Sequence, residues 1–80
     1  MSIDGNKWIY FELVKDTPKT QVWDVINKAS EEPLARISWY YSWRQYVISP
    51  EPQTIYNDGC LETIINFMKR LNKDHKIKGG

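Results

Sequence analysis

The sequence predicts an α+β fold, an antiparallel meander of three to four strands with one C-terminal helix packed on one face. Three observations carry this. Aromatic and β-branched residues alternate with polar ones along Lys7–Val14 and Leu34–Ser49, the period of a half-buried strand. Proline and turn-forming residues interrupt the chain at Asp16-Thr17-Pro18, Glu32-Pro33 and Pro50-Glu51-Pro52. After Asn57 the apolar period changes to a helical one, with Leu61, Ile64, Ile65, Met68 and Leu71 forming a stripe.

The richest stretch is Ile37–Ile48, with two of the four tryptophans, three of the five tyrosines and neither glycine nor proline. It reads as two strands joined by a tight turn near Tyr41-Ser42. An even-numbered loop keeps opposed residues on one face, so parity sorts the side chains. Ala35, Ile37, Trp39, Tyr46 and Ile48 form the core row, with Arg44 at its end. Arg36, Ser38, Tyr40, Trp43, Gln45 and Val47 form an outer row.

In chain order, Met1–Asn6 is a polar lead expected to fray. Lys7–Val14 is a strand in which Ile9, Phe11 and Leu13 alternate with Trp8, Tyr10 and Glu12. A loop over Lys15–Thr20 leads to a second strand, Gln21–Asn27. Trp23 and Val25 are assigned inward and Asp24 outward, because burying an unpaired carboxylate is costly. A helix over Val22–Glu32 is the competing assignment; Val, Trp, Val and Ile favour the strand. Thr54-Ile55-Tyr56 reads as a short edge strand. Asn57 or Asp58 caps the helix, Glu62 suits its first turn, and Phe67 flanks its stripe. Lys69, Arg70 and Lys73 suit the negative end of the dipole, and Asp74–Gly80 is expected to fray.

Eighty residues make a single domain, residues 1–80, that buries only about 60–65% of its unfolded surface, so its core is thin. No apolar run is long enough to span a membrane and no signal-peptide pattern opens the chain, which predicts a cytoplasmic protein without membrane contact. One cysteine and one histidine exclude an internal disulfide and a zinc site, and no other metal motif is present. Residues 1–68 hold six lysines and arginines against nine acids, a net −3, and residues 69–80 hold five against one, a net +4. A duplex-binding protein usually offers several cations on one face, which this sheet does not.

No catalytic constellation emerges. His75 reads as a solvated side chain in a lysine-rich tail, and Cys60 as a small buried residue at the helix start. Glu31-Glu32 are a solvated turn, and Asn57-Asp58-Gly59 lacks the glycines and lysine of a phosphate cradle. The sequence therefore predicts neither an enzyme nor a cofactor. The outer face is the better site. Trp8, Tyr10, Arg36, Tyr40, Trp43 and Gln45 combine aromatics with arginine, the chemistry of interface anchors. Arg44 either joins them or covers Trp39 by a cation–π contact.

Three classes follow. The first is a module that binds a protein partner or a second copy of itself. The second binds nucleic acid, stacking bases on the aromatics and meeting phosphates with Arg36, Arg44, Lys69, Arg70 and Lys73. The third binds a nucleotide ligand. The acidic body favours the first.

The string Ile37-Ser38-Trp39-Tyr40, Trp43-Arg44-Gln45-Tyr46-Val47, Pro50-Glu51, Thr54, Tyr56 and Gly59-Cys60-Leu61 resembles a group of small, uncharacterised bacteriophage and prophage proteins. These share a W-Y-x-x-W-R-Q-Y core followed by Pro-Glu and a Cys-Leu helix start. The resemblance covers roughly residues 34–71. This chain departs from it at Ile48 and Ser49, where phenylalanines are common, and at Ala35, where a glycine precedes the central strand. The resemblance implies a phage setting inside a bacterial host, where small non-enzymatic proteins often bind and block host or defence proteins.

Overall fold

The computed structural model describes residues 1–77, except for the side chain of Ile77. Five antiparallel strands form one sheet in chain order: β1 (Ser2–Asp4), β2 (Ile9–Asp16), β3 (Gln21–Asn27), β4 (Pro33–Tyr40) and β5 (Gln45–Pro50). One helix, α1 (Asp58–Ile77), covers one face. The α+β meander is as expected, with an additional edge strand.

That strand corrects the expectation of a frayed N-terminus. Ser2, Ile3 and Asp4 pair with Glu12, Phe11 and Tyr10, and the Leu13 amide donates to the Met1 carbonyl at 2.9 Å. Backbone pairing replaces water for these groups. The connection to β2 needs a glycine, because a Cβ at Gly5 would sit 2.8 Å from the Ile9 carbonyl oxygen. Asn6 then fixes the turn. Its Oδ1 accepts from the Trp8 and Ile9 amides at 2.8 and 3.0 Å, while its Nδ2 donates to Thr63 Oγ1 at 3.1 Å. One side chain thus ties the loop to the helix.

β3 is a strand, as its β-branched content favours. It stops because Asn27 Oδ1 accepts from the Ala29 amide at 2.8 Å and Glu31 turns left-handed with φ 58°. Trp23 and Val25 are buried and Asp24 faces outward, as its costly carboxylate requires.

The hairpin of β4 and β5 pairs Tyr40 with Gln45 and Trp39 with Tyr46. Its loop is Tyr41–Arg44, two residues longer than the expected turn. Both lengths are even, so the parity assignment survives: Ala35, Ile37 and Tyr46 are buried, with Trp39 and Ile48 packed beside them.

In the core, Ile9, Phe11, Val25 and Ile37 are almost completely enclosed. The helix meets them through Cys60, Ile64, Phe67 and Leu71, with His75 buried one turn further on. This row differs from the expected stripe. Leu61 and Ile65 are about half exposed, and Phe67 is central rather than flanking. The apolar arc is wider than the sheet can cover, and the rotation is the one that stacks Phe67 on Phe11, centroids 4.0 Å apart, with Trp23 edge-on at 5.1 Å.

The cap is Asn57, whose Oδ1 accepts from the Cys60 amide at 2.7 Å. The helix runs through Asp74–Ile77, where fraying was expected; residues 78–80 lie outside the described residues. Thr54–Tyr56 is not a strand. Tyr56 instead donates its hydroxyl to the Leu34 carbonyl at 2.7 Å, pinning the connection to β4.

Candidate functional site

The residues proposed from sequence for the aromatic and arginine surface divide among three places. Tyr40, Trp43, Arg44 and Gln45 gather at the β4–β5 hairpin tip. Tyr10 and Arg36 lie on the outer face, but Tyr10 sits beside Ile26 at the opposite end of the sheet from Tyr40. The row containing Glu12, Asp24 and Arg36 lies between them. Trp8 leaves the face altogether. The Asn6 turn directs it toward the helix start, where Gly59 has room for it and Lys7 Nζ lies 4.5 Å from its ring.

Arg36 is engaged within the fold. Its Nε donates to Asp24 Oδ1 at 2.8 Å, and that hydrogen bond together with the Asp24 charge holds the guanidinium pKa above its usual value. The pair is exposed to water, so it contributes only about 0–1 kcal/mol. It also neutralises the one arginine in the middle of the face.

The hairpin tip is different. Tyr40, Tyr41 and Trp43 are 44%, 79% and 66% exposed, and the Tyr40 and Trp43 rings meet edge-on at 5.1 Å. The chain exposes them because four loop residues must clear the end of the sheet. Arg44 returns it to β5 through a left-handed φ of 53°. Tyr41 was missed by reading alternation alone, because a loop residue belongs to neither face. Beside the tip, an open groove of about 410 Å³ runs between β5 and α1, lined by Trp43, Val47, Ile65, Met68 and Lys69 among others. Arg70 and Lys73 are exposed on the helix.

On the other side of the tip, a cavity of about 730 Å³ opens between the β2–β3 loop, the β4–β5 loop and the last turns of α1. Its walls include Lys19, Trp39, Tyr41, Arg44, His75 and Lys76, with no aspartate or glutamate among the described residues that line it. His75 is not the solvated side chain expected from sequence. It is buried, stacked on Trp39 with centroids 4.0 Å apart, and its Nδ1 lies 2.9 Å from the Lys19 carbonyl oxygen. A carbonyl only accepts, so Nδ1 carries the proton in this contact. The stacking partner of Trp39 is therefore His75, where Arg44 had been considered.

Tyr46 is buried in the core beside Trp39, their rings edge-on with centroids 5.4 Å apart. Burial pushes its phenol above the ordinary value of 10.0, nearby Asp16 adds to this, and the hydrogen bond from the Gln21 amide opposes it. A raised acid pKa means that the fold favours the neutral phenol. That stability is fully present below the unfolded value of about 10 and is lost as pH rises through the folded one. Melting temperature should therefore fall more steeply above pH 10 in the wild type than in Tyr46→Phe, as thermal melts at stepped pH would show; parallel curves would refute this.

Among the described residues no helix is long and apolar enough to cross a membrane, and no cluster of His, Cys, Asp or Glu is arranged to hold a metal ion. No family model matches the chain, and no solved structure matches it. It is similar to the uncharacterized 9.3 kDa protein of Acholeplasma phage L2, with 26% identity over 77 residues spanning 95% of this chain and 99% of that protein. The similarity runs across the whole fold and agrees with a small phage protein.

Proposed function

We propose that the chain is a small, non-enzymatic phage accessory protein that binds a host protein through the β4–β5 hairpin tip and inhibits it. The observation that carries this is the exposure of Tyr40, Tyr41 and Trp43 together at the hairpin tip next to Arg44. Trp, Tyr and Arg are the residues that most often anchor interfaces, because they bury large areas with little lost rotamer freedom. Left in water, such a cluster contributes little to folding. The adjoining groove supplies a second apolar surface, and Lys69 at its rim, with Arg44, suits a partner bearing carboxylates. Similarity to a phage protein over nearly its full length supports the setting.

The test is capture from bacterial host lysate with immobilised wild type and Trp43→Ala. A protein retained by the wild type and lost with the variant supports the proposal; identical capture by both refutes it. Nucleic-acid binding is separated by salt. If Lys69, Arg70 and Lys73 meet phosphates, affinity falls steeply as salt rises and the slope flattens when they are replaced.

A further inference from the structure

The cavity beside the tip has a composition that the fold itself does not require. Lys19, Arg44 and Lys76 come from three separate segments and face one space with no acid in its walls. Residues 1–68 carry a net −3, so the two cations they supply here, Lys19 and Arg44, gather against the balance of that part of the chain. Two acids lie nearby: Asp16 accepts a hydrogen bond from Gln21 Nε2 at 3.1 Å, and Asp74 lines a smaller adjoining cavity of about 90 Å³ beside Lys19 and His75. Like charges gathered with no acid among the described residues of the lining repel one another, which an anion would relieve. Lys76 also answers the negative end of the helix dipole, so the argument rests on Lys19 and Arg44. Arg44 is the more telling, because at φ 53° a glycine or asparagine would carry less backbone strain.

The remaining walls are aromatic. Trp39 is half-buried and backed on one ring face by His75, which holds it as a fixed slab, and Tyr41 stands on the loop beside it. A cavity of 730 Å³ lies within the range of about 300–1,000 Å³ typical of small-molecule sites. Rigid aromatic surface next to clustered cations is complementary to a molecule that joins a planar ring to a phosphate. We infer that this cavity binds a nucleoside phosphate, its base against Trp39 and Tyr41 and its phosphate against Lys19, Arg44 and Lys76. The Nδ1–H of His75 donates to the Lys19 carbonyl, which holds the imidazole in place behind Trp39.

Calorimetric titration at low salt with AMP, UMP, adenosine, inorganic phosphate and a single-stranded oligonucleotide tests this. The mononucleotides should bind the wild type, each more tightly than phosphate, and AMP more tightly than adenosine. Lys19→Gln and Arg44→Asn should each weaken binding about tenfold, equivalent to ~1.4 kcal/mol. Asparagine tolerates the left-handed backbone better than arginine, and both residues are exposed, so neither substitution should lower the melting temperature. Trp43→Ala, outside the cavity, should leave nucleotide affinity intact, separating this site from the protein-binding tip. The inference is overturned if no mononucleotide binds the folded wild type, or if affinity is indifferent to both substitutions. It is equally overturned if only the oligonucleotide binds, which would make the cavity part of a strand path.

Discussion

Phe67→Ala should destabilise the protein by about 3–5 kcal/mol, the usual cost of truncating a buried phenylalanine. Phe67 is 4% exposed, lies flat on Phe11 and meets the edge of Trp23, so it joins the helix to two strands. A domain of 80 residues has only about 4–12 kcal/mol of stability in total. The variant would therefore lose much of its margin, and its melting temperature should drop by about 15–30 °C. Phe67→Leu, which keeps most of the volume, should cost less than about 1.5 kcal/mol. Ile65→Ala is the control, because Ile65 is half exposed on the neighbouring helical row and should change melting little. Denaturant melts of the three variants read this directly. A costly Ile65→Ala beside a mild Phe67→Ala would mean that the helix is rotated.

Trp43→Ala should do the reverse, removing binding while leaving the fold. Its ring is 66% exposed and touches Tyr40 only edge-on, so stability should change by no more than about 0.5–1 kcal/mol. A tryptophan at the centre of an interface typically contributes about 2 kcal/mol or more, some 30-fold in affinity. Surface plasmon resonance against the captured partner, paired with a thermal melt, separates the two quantities. Unchanged affinity would remove Trp43 from the interface, and a collapse in melting temperature would make it structural.

How legible this was depended on period and loop parity. The faces of β2 to β5 were readable because strand alternation has a period of two, and an even loop preserves it whether it holds two residues or four. Asp24 was readable because an unpaired buried carboxylate is costly. β1 was not, since a three-residue strand gives alternation too short a run. The existence of α1 was plain, but its rotation was not: Cys60, Leu61, Ile64, Ile65, Phe67, Met68 and Leu71 make an arc wider than one sheet face, and the aromatic contact with Phe11 decides among them. Trp8 was misplaced because a side-chain turn at Asn6, rather than strand geometry, sets its direction. His75 was misread for a related reason. Its lysine-rich neighbours suggested solvent, while its partners lie more than thirty residues away in sequence.

Asn72 carries a consequence for how this molecule behaves in a crowded solution. Its Oδ1 accepts from the Tyr46 amide at 2.8 Å, occupying a donor on the last strand that β4 does not use. Pro50, four residues further along that strand, has no amide to offer. Two positions along the β5 edge are therefore closed to a foreign strand, which limits the pairing of copies there. A partner docking at the tip as proposed would be held chiefly by side chains, so its grip could be abolished one ring at a time without unravelling the sheet.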